Sequence, residues 1–289
     1  MDQPLRDALR DVLVGWRADL SPAWQALIGA QELGFDAVDP TLRLEAWEPI
    51  FPVRAGRTYM GAPKGSHIFH AFDGIAPADV SVVVLGQDPY PCAAFSTGRA
   101  FEAGNVAAWR ELEKMFSVSV RTYMQLLVAA RTGDASYAES TKAWARLVGD
   151  IEAGRIDIEP ANRIADRWVG QGVLLLNSAL TISRFTVAGD PHQLRGHLPL
   201  WRPLMAAILG NLAARAVPTV FIGFGGQAAD ALRSAGIAKT GTGPQAAGMK
   251  VACILREHPA RGDEVLALEN PFTACNAFLT AMQARPISW

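Results

Sequence analysis

Residues 82–91 form the segment that most constrains the fold, a short apolar run that ends in a polar turn. The run Val82-Val-Val-Leu85 is apolar and β-branched, which is typical of a buried strand. It stops at Gly86, and Pro89 disfavours a helical backbone at the preceding Asp88. Open α/β sheets carry their chemistry at the carboxyl ends of buried strands, so Asp88 is a candidate functional carboxylate. The alternative is an Asp-Pro turn that only ends the strand.

Three further apolar runs also end in residues with chemical character. They are 172–176, followed by Asn177; 217–222, followed by a glycine-rich turn; and 250–255, followed by Glu257-His258-Pro259. Helix-like stretches lie between or beside the runs, at 107–131, 159–170, 199–215 and 227–235. This alternation predicts an α/β fold, a three-layer α/β/α arrangement around a central, mostly parallel four-stranded sheet. Right-handed crossovers put the strand ends at one edge, so Asp88, Asn177 and His258 are expected to converge.

The composition is that of a globular α/β protein. The chain has 289 residues, half of them hydrophobic, which suits one domain over 1–289. Apolar residues at helical spacing predict two helices in an N-terminal extension, 1–65, packed on the main body, with 49–65 as a connecting loop. A glycine- and proline-rich stretch, 236–248, is expected to link a helix to the last strand.

Several protein classes are disfavoured by the sequence. No apolar run reaches membrane-spanning length, and the N-terminus lacks the layout of a signal peptide. Three cysteines without Cys-x-x-Cys spacing indicate reduced thiols, a cytoplasmic location and no four-cysteine iron–sulfur cluster.

Charge gives little support to nucleic-acid binding, because the net charge is −1. A local basic stripe remains a hypothesis, and for each member the alternative is a solvated surface residue. Its members are Arg54, Arg57, Lys64, Arg184, Arg195 and His197.

Two motifs at the predicted strand ends carry a family resemblance. Gly86-Gln-Asp-Pro-Tyr90 resembles the Gly-Gln-Asp-Pro-Tyr-His motif of the family-1 uracil-DNA glycosylases. Leu174-Leu-Leu-Asn-Ser-Ala-Leu-Thr181 is similar to that family's Leu-Leu-Leu-Asn-Thr-Val-Leu-Thr.

Four shorter matches follow the family's order, so that the resemblance spans about residues 67–289. Arg99-Ala-Phe101 lies where the family has a phenylalanine, and His258-Pro259 resembles the start of His-Pro-Ser-Pro-Leu. Cys275-Asn-Ala-Phe278 and Pro286-Ile-Ser-Trp289 resemble Cys-Asn-His-Phe and Pro-Ile-Asp-Trp.

The resemblance implies a DNA base-excision repair glycosylase that hydrolyses the N-glycosidic bond of uracil and leaves an abasic site. No cofactor or metal is expected, since no ligand cluster stands out. The transition state has a cationic sugar and an anionic base. Asp88 is expected to stabilise the cation and orient water, and His258 to stabilise the leaving base. The other four histidines are expected to be structural or on the surface.

Base recognition is assigned from the same resemblance. Asn177 carries a donor and an acceptor that match uracil and mismatch cytosine. Phe101 is expected to stack on the extruded base, Tyr90 to exclude thymine at C5, and the backbone around Gln87 to hold O2. Without the resemblance, Asn177 fits a turn and Phe101 ordinary core packing.

Four departures from the family pattern change the expected behaviour. Pro91 replaces a histidine, and Glu102-Ala-Gly-Asn-Val106 replaces a proline-rich loop. Phe224-Gly225-Gly226 replaces Trp-Gly-Ser, and the acidic segment 260–270 replaces a short wedge loop. The lost elements pinch and wedge duplex DNA, so single-stranded or mismatched substrate is expected to be favoured, with other damaged bases also admitted.

The same departures bear on partners. Gly225, Gly226 and Arg261 are the expected weak DNA contacts. Leu266 or Leu268 is a candidate wedge, although an amphipathic surface helix is the preferred interpretation of that segment. Binding of the family's protein inhibitor is not expected.

Two rival functions remain. The turn 223–228 resembles a dinucleotide-binding turn, but no carboxylate follows at the required distance, which disfavours an oxidoreductase. A non-catalytic sensor of uracil-containing or abasic DNA is the alternative, against which the presence of both Asp88 and His258 argues. No lysine lies in the matched motifs, so a monofunctional glycosylase is expected.

Overall fold

The computed structural model describes residues 2–114, 118–186, 189–238, 243–246 and 250–289. Its α-helices are α1 (Leu5–Leu13), α2 (Pro22–Ile28), α3 (Val118–Thr132), α4 (Trp144–Glu152), α5 (Ile164–Val169), α6 (Leu198–Ala214), α7 (Gly226–Ser234), α8 (Asp263–Leu266) and α9 (Pro271–Ala281). Its strands are β1 (Gln3–Pro4), β2 (Arg43–Leu44), β3 (Val82–Gly86), β4 (Val173–Asn177), β5 (Thr219–Phe224), β6 (Gly243–Ala246) and β7 (Val251–Arg256). None of the described helices is long and apolar enough to cross a membrane.

Four of the strands form the parallel sheet that the sequence predicts. They lie side by side in the order β4-β3-β5-β7, and each neighbouring pair is parallel. Their residues are nearly all fully buried, as expected for strands covered on both faces. The predicted parallel sheet is therefore confirmed.

The two faces of the sheet carry separate hydrophobic cores, because successive strand residues point to opposite sides. Val83 and Leu85 pack in one core with α1, α2, α6 and α7. Val82 and Val84 pack in the other with α3, α4, α5 and α9. The three-layer α/β/α arrangement is thus confirmed.

The N-terminal helices contribute to the first of these cores. Leu5, Leu9 and Leu13 of α1 are buried at the helical spacing seen in the sequence, as are Trp24 and Ile28 of α2. Both helices were predicted. The remainder of 1–65 contains two 3-10 helices, Trp16–Asp19 and Phe35–Ala37, and two short strands, β1 and β2, which pair with each other.

Two stretches differ from the predictions. The linking stretch 236–248 contains β6, a fifth strand antiparallel to β7, while 239–242 and 247–249 lie outside the described residues. Its Gly-Pro-Gln-Ala sequence lacks a strand-like composition, and its proline is tolerated because β6 lies at the sheet edge. In the predicted helix 107–131, Trp109–Lys114 forms a 3-10 helix and the α-helix begins at Val118, with 115–117 outside the described residues.

Candidate active site

The predicted catalytic residues lie beyond the ends of parallel strands, at one edge of the sheet. Gly86 at the end of β3 is in register with Asn177 at the end of β4. On the other side of β3, β5 separates it from β7. Neighbouring strands are about 4.8 Å apart, which puts the ends of β3 and β7 about 10 Å apart. The structure therefore places Asp88, His258 and Asn177 along the same edge.

Asp88 follows β3 in a half-buried bend. Its Oδ2 is buried and accepts no hydrogen bond from any described residue. Burial raises the pKa of Asp88 to about 7, and a hydrogen bond with the Gln87 side chain acts in the opposite direction. A carboxylate with a free oxygen and a pKa near neutrality is suited to accept a proton from bound water.

His258 follows β7 and is held in one tautomer. Its Nδ1 accepts a hydrogen bond from the Ala260 backbone N–H at 3.2 Å, which places the ring proton on Nε2. Burial lowers the pKa of His258, so the imidazole is neutral at physiological pH. A Cβ at Gly225 would lie 3.2 Å from His258 Cδ2, and the Gly225 φ of +89° favours glycine, so this residue lets the ring lie against the backbone. The site thus holds a neutral imidazole with a donor at Nε2.

Asn177 and Phe101 both approach the end of β3. A Cβ at Gly86 would lie 2.6 Å from Asn177 Oδ1 and 3.4 Å from Phe101 Cε2. Asn177 is only 3% exposed, yet its side chain makes no hydrogen bond to any described residue. An unpaired amide beside an aromatic ring can bind the polar edge of a flat heterocycle while the ring stacks on its face.

The rings of Tyr123 and Phe224 pack against the Phe101 ring. This ring stacks on Tyr123, with centroids 4.5 Å apart and planes 3° apart, and meets the edge of Phe224 at 5.2 Å. The Phe101 φ of +59° is an uncommon conformation for an aromatic residue. Tyr123 was not predicted as a site residue, because no local pattern connects it with a residue 22 positions earlier in the chain.

Tyr90 and Glu102 extend the site on the side of Phe101. Tyr90 is half-buried, and burial together with the charge of Glu102 raises its pKa. Glu102 Oε2 is buried without a hydrogen-bond partner among the described residues, while Oε1 accepts from Arg99 Nη1 at 3.4 Å. On the β3 turn, the Gln87 carbonyl accepts from the Ala179 N–H at 3.0 Å. Glu102 places a carboxylate directly after Phe101, a feature that the sequence showed only as a departure from the family loop.

The predicted basic stripe is largely absent. Arg54 forms an internal ion pair with Asp19, and Arg184 and Arg195 pair with Glu48 and Asp39. His197 is completely buried, and burial lowers its pKa to about 3. A sequence position does not reveal acidic partners that are distant along the chain, so the sequence could not show that these three arginines are paired.

Arg57 and Lys64 differ from the rest of that set. Both are exposed, and neither forms an ion pair with any described residue. They are the two members of the predicted stripe whose charges remain free for a ligand.

The segment after His258 is compact. Pro259–Arg261 forms a 3-10 helix that leads into α8. Leu266 is 7% exposed and packs in the core, whereas Leu268 is 45% exposed, so only Leu268 is available as a wedge. Arg261 is exposed but paired with Glu257 at 3.1 Å and Glu264 at 2.8 Å.

The two glycines predicted to contact DNA lie at the start of α7. Gly225 donates its backbone N–H to the Arg256 carbonyl at 2.9 Å. Gly226 is exposed and begins the helix. A helix N-terminus of this kind presents backbone donors to an anion.

A second polar cluster contains His67, His70 and Asp73, whose potential metal-ligating atoms lie within 4.8 Å of one another. Both imidazoles contact Asp73 Oδ2, at 2.7 and 3.1 Å. Burial favours a higher pKa for Asp73, but the two imidazole hydrogen bonds hold it well below its usual value. The Phe69 N–H donates to His67 Nδ1, so the proton lies on Nε2, where a metal would need a lone pair. In this arrangement the cluster is a hydrogen-bonded network.

A carboxylate, an amide and an imidazole at the carboxyl edge of a parallel sheet define an α/β protein with a polar ligand site. No protein-family model matches the chain. A uracil-DNA glycosylase of Streptococcus uberis is 30% identical over 238 residues, which cover 81% of this chain and 84% of that protein. The chain therefore belongs to the uracil-DNA glycosylase family.

Solved structures share the fold of this chain. The UNG crystal structure from Nitratifractor salsuginis has a TM-score of 0.59 at 20% identity and covers 97% of this chain and 98% of its own. A mimivirus UNG variant in complex with UGI has a TM-score of 0.57 at 16% identity and covers 99% of this chain and 94% of its own. At these identities the likeness concerns the fold.

Proposed function

We propose that this protein is a monofunctional uracil-DNA glycosylase that hydrolyses the N-glycosidic bond of uracil in DNA and leaves an abasic site. One observation carries the proposal. The unpaired amide of Asn177 and the ring of Phe101 meet over Gly86, two residues before Asp88, whose Oδ2 is buried. A base-binding pair thus adjoins a group suited to cleaving the bond that holds the base.

In the proposed mechanism, the bond between the base and C1′ breaks, and its electron pair leaves with the base. The His258 Nε2–H donates a hydrogen bond to O2 of the departing anion. Asp88, in its ionised form, stabilises the cationic sugar. It then accepts a proton from the water whose oxygen bonds to C1′. No strand cleavage is expected, because this route forms no covalent bond between the protein and the sugar.

Recognition of uracil is assigned to side chains around Phe101. Asn177 donates to O4 and accepts from N3–H, a pattern that cytosine reverses. Phe101 stacks on the base, and the Gln87–Asp88 backbone binds O2. Tyr90 lies against C5 and excludes the thymine methyl group, while Pro91 leaves room for some other damaged bases.

We further propose that single-stranded or mismatched DNA is the favoured substrate. Extruding a paired base costs a few kcal/mol. Of the two candidate wedge leucines, Leu266 is buried and only Leu268 is exposed. Phosphate contacts are assigned to the N-terminus of α7 at Gly226, with a weak contribution from Arg261. Gly225 is expected to contribute by letting the backbone approach the DNA closely, because its own N–H is already bound to the Arg256 carbonyl. We expect no binding of UGI, because the segment 260–270 replaces the family's wedge loop.

The test is incubation with a labelled oligonucleotide containing one uracil, followed by alkali to reveal abasic sites. Paired and unpaired strands are compared, with Asp88→Asn as the inactive control. Alkali-dependent breaks that Asp88→Asn abolishes are the expected result. Tight binding of the oligonucleotide without any breaks would favour the sensor hypothesis, and faster cleavage of paired DNA would contradict the single-strand preference.

A further inference from the structure

Residues 53–68 form an exposed loop, called here the 53–68 loop, whose two ends meet. The Ile68 backbone N–H donates to the Val53 carbonyl at 2.9 Å. Near its tip, the Ala62 N–H donates to the Tyr59 carbonyl at 3.0 Å and closes a turn. Compact surface loops with joined ends are frequently functional.

Asn105 fixes this loop beside the candidate active site. Its Nδ2 donates to the Gly61 carbonyl in the loop and to the Ala94 carbonyl in the segment after Pro91, each at 2.9 Å. Asn105 itself has a φ of +57°, which asparagine tolerates better than most residues. One side chain therefore ties the loop to two stretches that flank the site.

A second contact lies next to the first. Pro63 packs so closely on Gly104 that a Cβ at Gly104 would lie 2.1 Å from the proline ring. Gly104 belongs to the segment 102–106, directly after Phe101. The 53–68 loop thus packs on the segment that follows the residue proposed to stack on the base.

The tip of the loop carries exposed aromatic, apolar and cationic side chains. Tyr59 is 38% exposed and Met60 is 95% exposed. Arg57 and Lys64 flank them and, within the described part of the chain, form no ion pair. No acidic residue occurs in the sequence between Glu48 and Asp73, so nothing nearby in the sequence neutralises these charges.

We propose that the 53–68 loop binds the unpaired DNA strand next to the target uracil. Tyr59 and Met60 receive a neighbouring base, and Arg57 and Lys64 contact the adjoining phosphates. An aromatic surface between free cations is the chemistry that holds single strands without reading their sequence. This inference rests on the proposed function and names the part of the substrate that the loop recognises.

The test measures the affinity for a dye-labelled oligothymidine with one tetrahydrofuran abasic site, by fluorescence anisotropy over a range of salt concentrations. The variants are Tyr59→Ser with Met60→Ser, and Arg57→Ala with Lys64→Ala. Their matched controls, Val217→Ser and Arg285→Ala, change exposed residues at the opposite edge of the sheet. Val217 precedes β5, and the residues after Arg285 contact Gln171 before β4. Thermal unfolding verifies that each variant is folded.

The Tyr59/Met60 variant is expected to bind the single strand about tenfold more weakly, in keeping with the loss of one stacked base. The Arg57/Lys64 variant is expected to lower the slope of log affinity against log salt by about 1.4. A smaller loss is expected on fully paired DNA, and none in the controls. Unchanged single-strand affinity, or an equal loss on paired DNA, would overturn the proposal.

Excision by the wild-type protein is measured in parallel, which separates the two proposals. If the wild type excises uracil and the loop variants bind the single strand as tightly as the wild type, only the proposed role of the 53–68 loop is overturned. Absence of excision by the wild type overturns the proposed function, while the affinities still decide the role of the loop.

Discussion

The ring of Phe101 lies parallel to the ring of Tyr123, with centroids 4.5 Å apart and an interplanar angle of 3°. Phe101 has a φ of +59°, a conformation that costs about 1–3 kcal/mol and persists only where the surrounding structure enforces it. Tyr123 is itself completely buried, with ring contacts to Trp168 and Phe272. The Phe101 ring, which is proposed to stack on the base, is therefore supported by Tyr123, a member of the hydrophobic core that contains α3, α5 and α9.

Two substitutions at Tyr123 separate the stacking ring from its hydroxyl. The hydroxyl is buried and has no hydrogen-bond partner among the described residues, so Tyr123→Phe is expected to raise the free energy of unfolding by about 1 kcal/mol. Tyr123→Leu removes the stack, and we expect about 2–4 kcal/mol of destabilisation and a higher KM for uracil-containing DNA. Chemical denaturation and steady-state excision measure both effects. An unaltered KM in a folded Tyr123→Leu protein would show that Phe101 needs no support.

Gly86→Ala tests whether Asn177 and Phe101 act together. The new Cβ would lie 2.6 Å from Asn177 Oδ1, so the amide must move while the backbone can stay. We expect a folded protein whose kcat/KM for uracil falls by at least about 100-fold, since a misplaced recognition group costs about this much. The control is Gly210→Ala, where no atom lies within 4 Å of the new Cβ. Normal excision by Gly86→Ala would remove Asn177 from the proposed recognition.

The sequence predicts the parallel sheet because each of its strands carries its own local apolar pattern, and it predicts the candidate site because three of these strands end at or near a distinctive polar residue. Asp88, Asn177 and His258 follow directly from those strand ends. Tyr123 and the Asn105 contact to the 53–68 loop depend on residues that are far apart in sequence or lie in irregular segments, where no periodicity connects them. For the same reason the sequence left Arg54, Arg184 and Arg195 as candidate DNA contacts, although each has an acidic partner distant along the chain.

The buried Asp88 is expected to lower the stability of the protein at neutral and higher pH. Its pKa is about 7 when folded and 3.8 in the reference state, so the folded protein binds more protons between these values and loses stability as pH rises through them. Asp88→Asn removes the ionisation, and at pH 8 it should increase the free energy of unfolding by up to about 4 kcal/mol. Near pH 4 the difference should vanish. Urea unfolding at both pH values provides the measurement, and a destabilised Asp88→Asn protein at pH 8 would mean that the carboxylate is not desolvated.

The same ionisation sets the expected pH dependence of excision. Asp88 must be ionised to stabilise the sugar cation, so kcat/KM is expected to rise about tenfold from pH 6 to a plateau above pH 8, with a midpoint near 7. His258 adds no acid limb, because burial lowers its pKa and Ala260 holds it in the neutral tautomer. His258→Ala is therefore expected to reduce kcat by about 100- to 1,000-fold, the cost of one lost donor to a developing anion, and to retain the midpoint near 7. Stopped time courses on a uracil-containing oligonucleotide across this pH range give both profiles. If kcat/KM of His258→Ala no longer fell below pH 7, the group that titrates would be the imidazole rather than Asp88.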